Sequence, residues 1–477
     1  PSHIGHMVGP VIFDTVKRYL EYSGWKVTWV VNITDIDDKI IAESAARGTT
    51  MAHLATEMTA DYLENLAVLG VESIDVMPKA TEHIGTIIAF IEGLIAKGYA
   101  YASDGDVYFD VTKDADYGKL TNRSVEATQG EGGSTAERKR STADFALWKK
   151  AKPGEPSWES PWGAGRPGWH IECSAMSRAI LGERFDIHGG GLDLIFPHHE
   201  NEIAQSESLH DCPMASYWMH NGLMQAAGAA GKVGGRPRGS EATADDAAAQ
   251  AATKISKSTG AEPFKNLLAR HRPEAIRFLL LSTHYRSPIH FGEEPLGESA
   301  RALEAFERLF ARYQRISGKS FYALPCRNRR AGDAAAGAAG DDVKALRETF
   351  LAAMDDDFNT AIAMATLFDF VRTVNKFVDQ QGLEKKAAAE PLGTLDAMML
   401  VLRELTGTLG IFLKEPQAKG GGADEGLVAK LMELVIEIRA RARGAKDFAT
   451  ADLVRTKLTE AGIVLEDRAD GTHWTRK

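Results

Sequence analysis

The chain has 477 residues, 44% of them hydrophobic and 26% charged, which is typical of a globular protein with about three domains of ordinary length. No run approaches the roughly 20 apolar residues that cross a bilayer, and no apolar leader opens the sequence, so we expect a cytoplasmic protein rather than a membrane or secreted one. The formal net charge of −10 argues against binding nucleic acid over the whole surface, so any phosphate contacts must be local.

The N-terminal pattern predicts half of a βαβ unit. Residues from Val8 onward read as a helix, a turn follows at Ser23-Gly24, and the β-branched run of residues 27–34 reads as a buried strand. Further strand-like runs alternate with helical stretches. This alternation favours an α/β fold with a doubly wound sheet, in which ligands bind beyond the carboxyl ends of the strands.

Two segments of biased composition interrupt the pattern. Residues 226–252 are almost entirely Ala, Gly, Asp and small polar residues without an apolar face, so we predict a mobile surface insertion with no chemical role. Residues 327–340 separate the α/β region from a different architecture.

Helices dominate after the second segment. Apolar residues recur there at helical spacing and form one stripe: Leu367, Phe370, Val371, Val374, Phe377 and Val378. Residues 395–413 are also helical, so we predict a bundle. A glycine linker precedes a small C-terminal unit with a helix pair, an extended tail and a cluster of basic residues. The predicted domains are the α/β region at residues 1–318, the helical bundle at residues 341–418 and the C-terminal unit at residues 425–477.

Two short motifs suit a polyphosphate. In the first, His3-Ile4-Gly5-His6, Gly5 lets a ligand approach the backbone just before a helix, whose free N–H groups attract an anion. The second places Lys254 and Lys257 in a loop that can close over phosphates. Each alone also fits an ordinary surface or core segment. Together, in this order on an α/β chain, they resemble the class I aminoacyl-tRNA synthetases.

A third constellation suits a metal ion. Cys173 is followed by His198 and Glu202, whose i, i+4 spacing after Pro197 puts both side chains on one face of a helix. Zn²⁺ accepts sulfur, nitrogen and oxygen ligands of this kind. The alternative interpretation is a buried cysteine beside a polar helix start.

These motifs resemble those of the cysteinyl-tRNA synthetases, and the resemblance runs nearly end to end apart from the two biased segments. The matching segments are residues 2–6, 32–40, 165–174, 186–191, 196–202, 254–258, 284–287, 355–360 and 462–467. The resemblance implies a Rossmann-type class I catalytic domain with an insertion, a helical bundle and an anticodon-binding unit.

The resemblance also implies roles for particular residues. The implied zinc ligands are Cys173, His198 and Glu202, and the implied amino-acid pocket includes Thr34 and Trp169. The implied ATP-binding residues are His3, Gly5, His6, His188, Gly190, Asp193, Lys254 and Lys257, of which His3, His6, Lys254 and Lys257 would be catalytic. The implied anticodon-reading residues are Arg443, Phe448, Asp452 and Asp467. Phe448 replaces a familiar tryptophan, and any aromatic face can stack on a base.

The implied activity joins L-cysteine to tRNA(Cys) and uses ATP together with Mg²⁺. The resemblance also implies one Zn²⁺ per chain and a monomeric enzyme. The family has a further zinc-ligand cysteine on a strand upstream of the His-Ile-Gly-His motif, which here begins at residue 3. We therefore expect three of the four family ligands in this chain, and a chain without that first strand.

Two rival functions remain open at this point. The cysteine ligase of mycothiol synthesis resembles the catalytic half of this family but has no use for an anticodon unit. The second rival is a catalytically silent paralogue that only binds tRNA.

Overall fold

The computed structural model describes most of the chain, namely residues 1–122, 138–226, 262–327, 329–330, 338–385, 388–416, 424–468 and 471–476. The chain divides into two compact units, Pro1–Leu413 and Lys414–Lys477. Lys254, Lys257 and residues 227–252 of the predicted insertion lie outside the described residues.

The first helix begins inside the His-Ile-Gly-His motif. Helix α1 (Gly5–Tyr22) buries Met7 and Val11 completely, and Gly24 makes the following turn with a φ of 98°, a conformation that suits a residue without a Cβ. The predicted helix and turn are therefore confirmed. The next helices are α2 (Asp38–Arg47), α3 (Met51–Val68) and α4 (Ile84–Ala96).

The β-branched run of residues 27–34 does not form the continuous strand that its composition predicts. It makes two isolated parallel bridges, at Val30 and Ile33, with the segment 76–79. The Ile33 N–H donates to the Pro78 carbonyl at 2.9 Å. Because proline has no N–H to return the next bond of a parallel ladder, the pairing is interrupted at Pro78.

A four-stranded antiparallel sheet is inserted before the predicted metal ligands. Its strands pair in chain order: β1 (Ala100–Ser103), β2 (Asp106–Phe109), β3 (Phe145–Lys150) and β4 (Gly165–Pro167). The sheet shares a core with α4 and with helix α5 (Trp169–Leu181), where Phe90, Trp148 and Ile171 are buried together. A Cβ on Gly168 would lie 2.0 Å from the Ala146 carbonyl oxygen, so glycine allows β4 to pass directly into α5.

Parallel strands joined by helices form the rest of the catalytic region. Strand β5 (Phe185–Gly191) pairs with β6 (Ala215–Asn221), and helix α6 (Glu200–His210) connects them. Strand β7 (Met224–Ala226) pairs with β8 (Ile289–Phe291). Between these two strands lie α7 (Phe264–Arg270) and α8 (Pro273–Leu281). The parallel pairs and helical crossovers confirm the α/β class.

Four helices follow and include the predicted bundle: α9 (Glu293–Ser317), α10 (Asp341–Asp355), α11 (Thr360–Gln380) and α12 (Ala389–Thr408). The predicted apolar stripe lies on α11, where Leu367, Phe370 and Val374 are buried. Helix α12 ends five residues before the predicted limit at residue 413, because Gly410 has a φ of 68°. One continuous core joins the bundle to α1, and the domain boundaries at residues 318 and 341 stay predictions.

The C-terminal unit contains a helix pair and a hairpin. Helices α13 (Asp424–Gly444) and α14 (Phe448–Glu460) precede strands β9 (Ile463–Arg468) and β10 (Gly471–Arg476), which pair in antiparallel register. The predicted helix pair is confirmed, and the predicted extended tail is this hairpin.

Candidate metal and nucleotide site

The three predicted metal ligands converge. One ligand atom each from Cys173, His198 and Glu202 lies within 4.8 Å of the other two. Cys173 sits one turn into α5, which begins at Trp169. Helix α6 begins at Glu200, three residues later than the start predicted at Pro197, but His198 Nε2 still lies 3.5 Å from Glu202 Oε2.

The electrostatics of these side chains fit a bound cation. Burial raises the pKa of the Cys173 thiol well above its ordinary value, and the Glu202 carboxylate raises it further. Burial alone would raise the pKa of Glu202, but the neighbouring His188 and His198 outweigh it and hold this pKa below its ordinary value. Glu202 Oε1 is buried and accepts no hydrogen bond from the described residues. A buried carboxylate oxygen without a partner is costly, and a metal ion would supply one. The sulfur, nitrogen and oxygen donors suit Zn²⁺.

His188 lies closer to the metal-ligand group than the sequence suggests. Its Nε2 is 3.1 Å from Glu202 Oε2, and with His199 and Glu202 it forms a second set of donor atoms within 4.8 Å of one another. The predicted role of His188 on the adenosine side stays a prediction. No local sequence pattern signals this contact, because it joins the middle of β5 to α6 through the tertiary fold.

Further histidines surround the ligand group. His170 Nδ1 lies 2.9 Å from His198 Nδ1, and His199 Nδ1 lies 2.8 Å from His220 Nε2. Burial lowers the pKa of His170 to about 3 and that of His220 to about 4. Both imidazoles are therefore neutral at neutral pH, and each has one ring nitrogen that can accept a hydrogen bond; His170 is the one that contacts a predicted ligand, His198.

The predicted amino-acid pocket has one member at the ligand group. Trp169 is 44% exposed and stacks on His198 with ring centroids 4.2 Å apart, so its indole covers one side of the group. Thr34 is half-buried, and its hydroxyl accepts a 3.4 Å hydrogen bond from the Asn32 amide. The pocket roles of both residues stay predictions.

The predicted phosphate motif and the glycine run of β5 meet at α1. The His3 and His6 rings stack with centroids 3.8 Å apart, and the Gly5 N–H donates to His3 Nδ1 at 3.1 Å. A Cβ on Gly189 would lie 2.2 Å from the Phe13 ring of α1. The helix and the strand are thus in direct contact.

Two further predicted nucleotide residues, Gly190 and Asp193, lie in β5 and directly after it. A Cβ on Gly190 would lie 2.9 Å from His199 Cε1, so Gly190 packs directly against the histidine cluster. Asp193 lies in the short turn Leu192–Leu194 that follows β5. Lys254 and Lys257 lie outside the described residues.

Two of the predicted anticodon residues form an ion pair in the C-terminal unit. Arg443 Nη1 lies 2.9 Å from Asp467 Oδ2, while Phe448 is 61% exposed and Asp452 is also exposed. Arg439, for which we predicted no role, donates to the same Asp467 carboxylate through two bonds of 2.7 and 2.8 Å. These bonds hold the pKa of Asp467 well below its ordinary value. The signal for Arg439 was its place in the basic cluster.

Comparisons with known proteins decide the family. Three family models match the chain. The model described as "tRNA synthetases class I (C) catalytic domain" matches residues 1–230, the DALR domain model matches residues 349–414, and the model described as "Cysteinyl-tRNA ligase anticodon binding domain" matches residues 432–474. A cysteine–tRNA ligase of Desulforamulus reducens is 42% identical over 487 residues, covering 100% of this chain and 93% of that protein. The chain belongs to the cysteine–tRNA ligase family.

Further likenesses agree with membership in the cysteine–tRNA ligase family. The ligase of Heliobacterium modesticaldum is 44% identical over 480 residues, covering 99% of this chain and 92% of that protein. A methionyl-tRNA synthetase of Mycobacterium tuberculosis, bound by methionyl-adenylate, shares the fold with a TM-score of 0.58 at 15% identity, covering 86% of this chain and 88% of that one. The chain is thus a class I aminoacyl-tRNA synthetase, and cysteine–tRNA ligase membership implies the use of ATP. Among the described helices, none is long and apolar enough to cross a membrane.

Proposed function

We propose that the chain activates L-cysteine with ATP and Mg²⁺ to cysteinyl-adenylate and transfers the cysteinyl group to the 3′ end of tRNA(Cys), with one Zn²⁺ selecting the thiol. The observation that carries this proposal is the convergence of Cys173, His198 and Glu202 within 4.8 Å, beside the exposed Trp169.

The proposed selection rests on the chemistry of the donor set. Serine differs from cysteine by one atom, and an apolar pocket separates such close analogues by only about 1–3 kcal/mol. A bound Zn²⁺ would supply a Lewis acid with a far stronger preference for a thiolate than for a hydroxyl. His198 is held for ligation by the stacked Trp169 and by His170, and His188 orients Glu202 through its 3.1 Å contact.

Activation requires positive charge where pyrophosphate leaves. In the proposed reaction the cysteine carboxylate attacks the α-phosphorus of ATP, and pyrophosphate departs as the leaving group. His3 and His6 bind the phosphates at the start of α1, where the positive end of the helix dipole adds to the attraction. Lys254 and Lys257 are the proposed mobile partners of that site. His188, Gly190 and Asp193 complete the proposed nucleotide site, and Thr34 is proposed to contact the amino acid.

Transfer requires recognition of tRNA. We assign anticodon reading to Arg443, Phe448, Asp452 and Asp467, since the exposed phenyl ring offers a stacking face and the charged groups can bond to base edges. The match of residues 432–474 to an anticodon-binding domain favours this function over the mycothiol ligase. A cytoplasmic location and a monomeric state remain predictions.

The test compares two cysteine variants. Cys173→Ser should lose zinc, measured as metal content of the purified protein, and should lose its preference for cysteine over serine in ATP–pyrophosphate exchange. Cys212→Ser, the matched control outside the ligand group, should retain both. Full zinc content and unchanged discrimination in Cys173→Ser would contradict the zinc assignment. Absence of cysteine-dependent exchange by the unaltered chain would contradict the activity itself.

A further inference from the structure

Two segments without an assigned role meet at one carboxylate. Asp357 lies in the turn between α10 and α11, and its carboxylate contacts residues 284–286, which follow α8. The Tyr285 hydroxyl donates to Oδ1 at 2.8 Å, and the Arg286 guanidinium donates to Oδ2 at 2.6 Å and to Oδ1 at 3.2 Å. His284 Nε2 lies 3.7 Å from Oδ2. Three consecutive side chains therefore surround a single acidic group.

The backbone at this carboxylate adopts an unusual conformation. Asp357 has a φ of 55° and Phe358 a φ of 52°, two consecutive non-glycine residues in the left-handed region. Aspartate tolerates this region, but for phenylalanine it costs about 1–2 kcal/mol. Such a conformation persists only where its surroundings fix it. Here Phe358 packs edge-on against Tyr19 of α1, and Thr360 donates to the Thr283 carbonyl at 3.2 Å.

The residues held by Asp357 also support the end of strand β6. The Gly222 N–H donates to the Tyr285 carbonyl at 2.7 Å, and a Cβ on Gly222 would lie only 2.1 Å from the Ser287 carbonyl oxygen. Gly222 directly follows His220 and Asn221, which end β6 beside the histidine cluster. Strand β7 begins two residues later, pairs with β8, and leads along the chain toward Lys254 and Lys257.

We infer that Asp357 is a positioning residue for cysteine activation: by clamping Tyr285 and Arg286 it fixes the backbone at Gly222, and so the end of β6 beside the histidine cluster and the start of β7. This inference rests on the proposed function for its kinetic consequence. The Asp357 carboxylate reaches Tyr285 and Arg286 only while its turn keeps the left-handed conformation. The turn between α10 and α11 of the bundle therefore helps to hold the catalytic region in place.

The decisive variant is Asp357→Asn, because asparagine tolerates the left-handed conformation but lacks the charge that binds the Arg286 fork. It should lower kcat of ATP–pyrophosphate exchange by about 10- to 100-fold with an unchanged KM for cysteine, as a displacement on the order of 1 Å at a remote support can do. The matched control is Asp369→Asn on α11, which removes the same charge from an exposed pair with Arg372 and should leave kcat unchanged.

Two further measurements separate positioning from stability. Arg286→Lys should lower kcat similarly, and adding it to Asp357→Asn should cause little further loss, because the two residues act as one unit. Amide exchange should rise at residues 222–226 in Asp357→Asn and stay unchanged in β1 and β2. Additive losses, or a lowered melting temperature with wild-type kcat and wild-type exchange, would overturn the inference. The exchange result stands even if cysteine activation itself fails, so failure of the clamp and failure of the proposed function are distinguishable.

Discussion

Arg277 and Asp14 form a buried ion pair that joins α8 to α1, with Arg277 Nη2 2.5 Å from Asp14 Oδ2. The same guanidinium donates to the Leu69 carbonyl at 2.9 Å and to the Leu409 carbonyl at 3.0 Å. One side chain thus satisfies groups from the end of α3, from α1 and from the residue after α12. The phosphate-motif helix and the bundle are connected through this guanidinium.

Replacing Arg277 should destabilise the chain strongly. Arg277→Met deprives two carbonyls of their donor and leaves the Asp14 carboxylate with only Arg18 and Ser73 among its described partners. The loss should therefore lie near the lower end of the about 3–5 kcal/mol that removing one member of a buried pair costs. Urea unfolding should show this loss in the free energy of unfolding. The control is Arg372→Met, which breaks an exposed pair with Asp369 and should cost less than about 1 kcal/mol. Equal losses in the two variants would show that the buried pair is not special.

His188 should tune metal affinity without being required for it. His188→Asn removes the contact with Glu202, and loss of such an orienting partner typically costs about 10- to 100-fold in metal affinity. Competition with a coloured zinc chelator measures the change. His210→Asn, which alters a histidine paired with Glu183 outside the ligand group, should bind zinc as the unaltered chain does. Equal affinity in both variants would speak against orientation of Glu202 by His188.

Glu200 should hold the loop that follows β2. Its buried carboxylate accepts from the N–H groups of Gly118 and Thr121 at 3.0 and 2.9 Å and from the Thr121 hydroxyl at 2.8 Å. Glu200→Gln should destabilise this loop by about 1–3 kcal/mol, because an amide cannot accept all of these bonds equally well. Amide exchange of residues 118–121 reports the local change. The exposed Glu183 provides the control, and an equal rise in Glu183→Gln would contradict the prediction.

Arg439 should matter for tRNA but not for cysteine activation. Arg439→Met removes two hydrogen bonds to Asp467 and leaves the proposed anticodon-reading carboxylate with Arg443 and Thr472, so its orientation is less firmly fixed. KM for tRNA in aminoacylation should rise about tenfold, a cost within the range of charge-assisted hydrogen bonds, while ATP–pyrophosphate exchange stays unchanged. Arg441→Met, at an exposed position paired with Glu437, is the control. A parallel loss in the exchange reaction would place the effect outside tRNA recognition.

How far the sequence predicts this protein depends on whether an interaction is local. The helix α1, its glycine turn and the apolar stripe of α11 follow from periodicity within a few turns. The prediction of a continuous strand at residues 27–34 was wrong. Continuous pairing depends on a partner distant in sequence, Pro78, which has no N–H to donate.

The candidate site shows the same division. His198 and Glu202 are four residues apart, so their spacing alone predicted that both could reach one metal ion. Cys173 was predicted as the third ligand because a thiol is a common zinc ligand. The contact between His188 and Glu202 connects the middle of β5 to α6 through the tertiary fold. Arg439 is one of several arginines in the basic cluster, and no local pattern distinguishes the buried one from its exposed neighbours.

Phe13 fills the place where a side chain at position 189 would stand, with its ring 2.2 Å from that Cβ position. Such interlocking leaves no slack between α1 and β5, since close-packed interiors transmit displacement rather than absorb it. We therefore expect the His-Ile-Gly-His motif and the glycine run to move together as one rigid unit. Any conformational change that accompanies nucleotide binding should then take place in other segments of the chain, while α1 and β5 keep their relative positions.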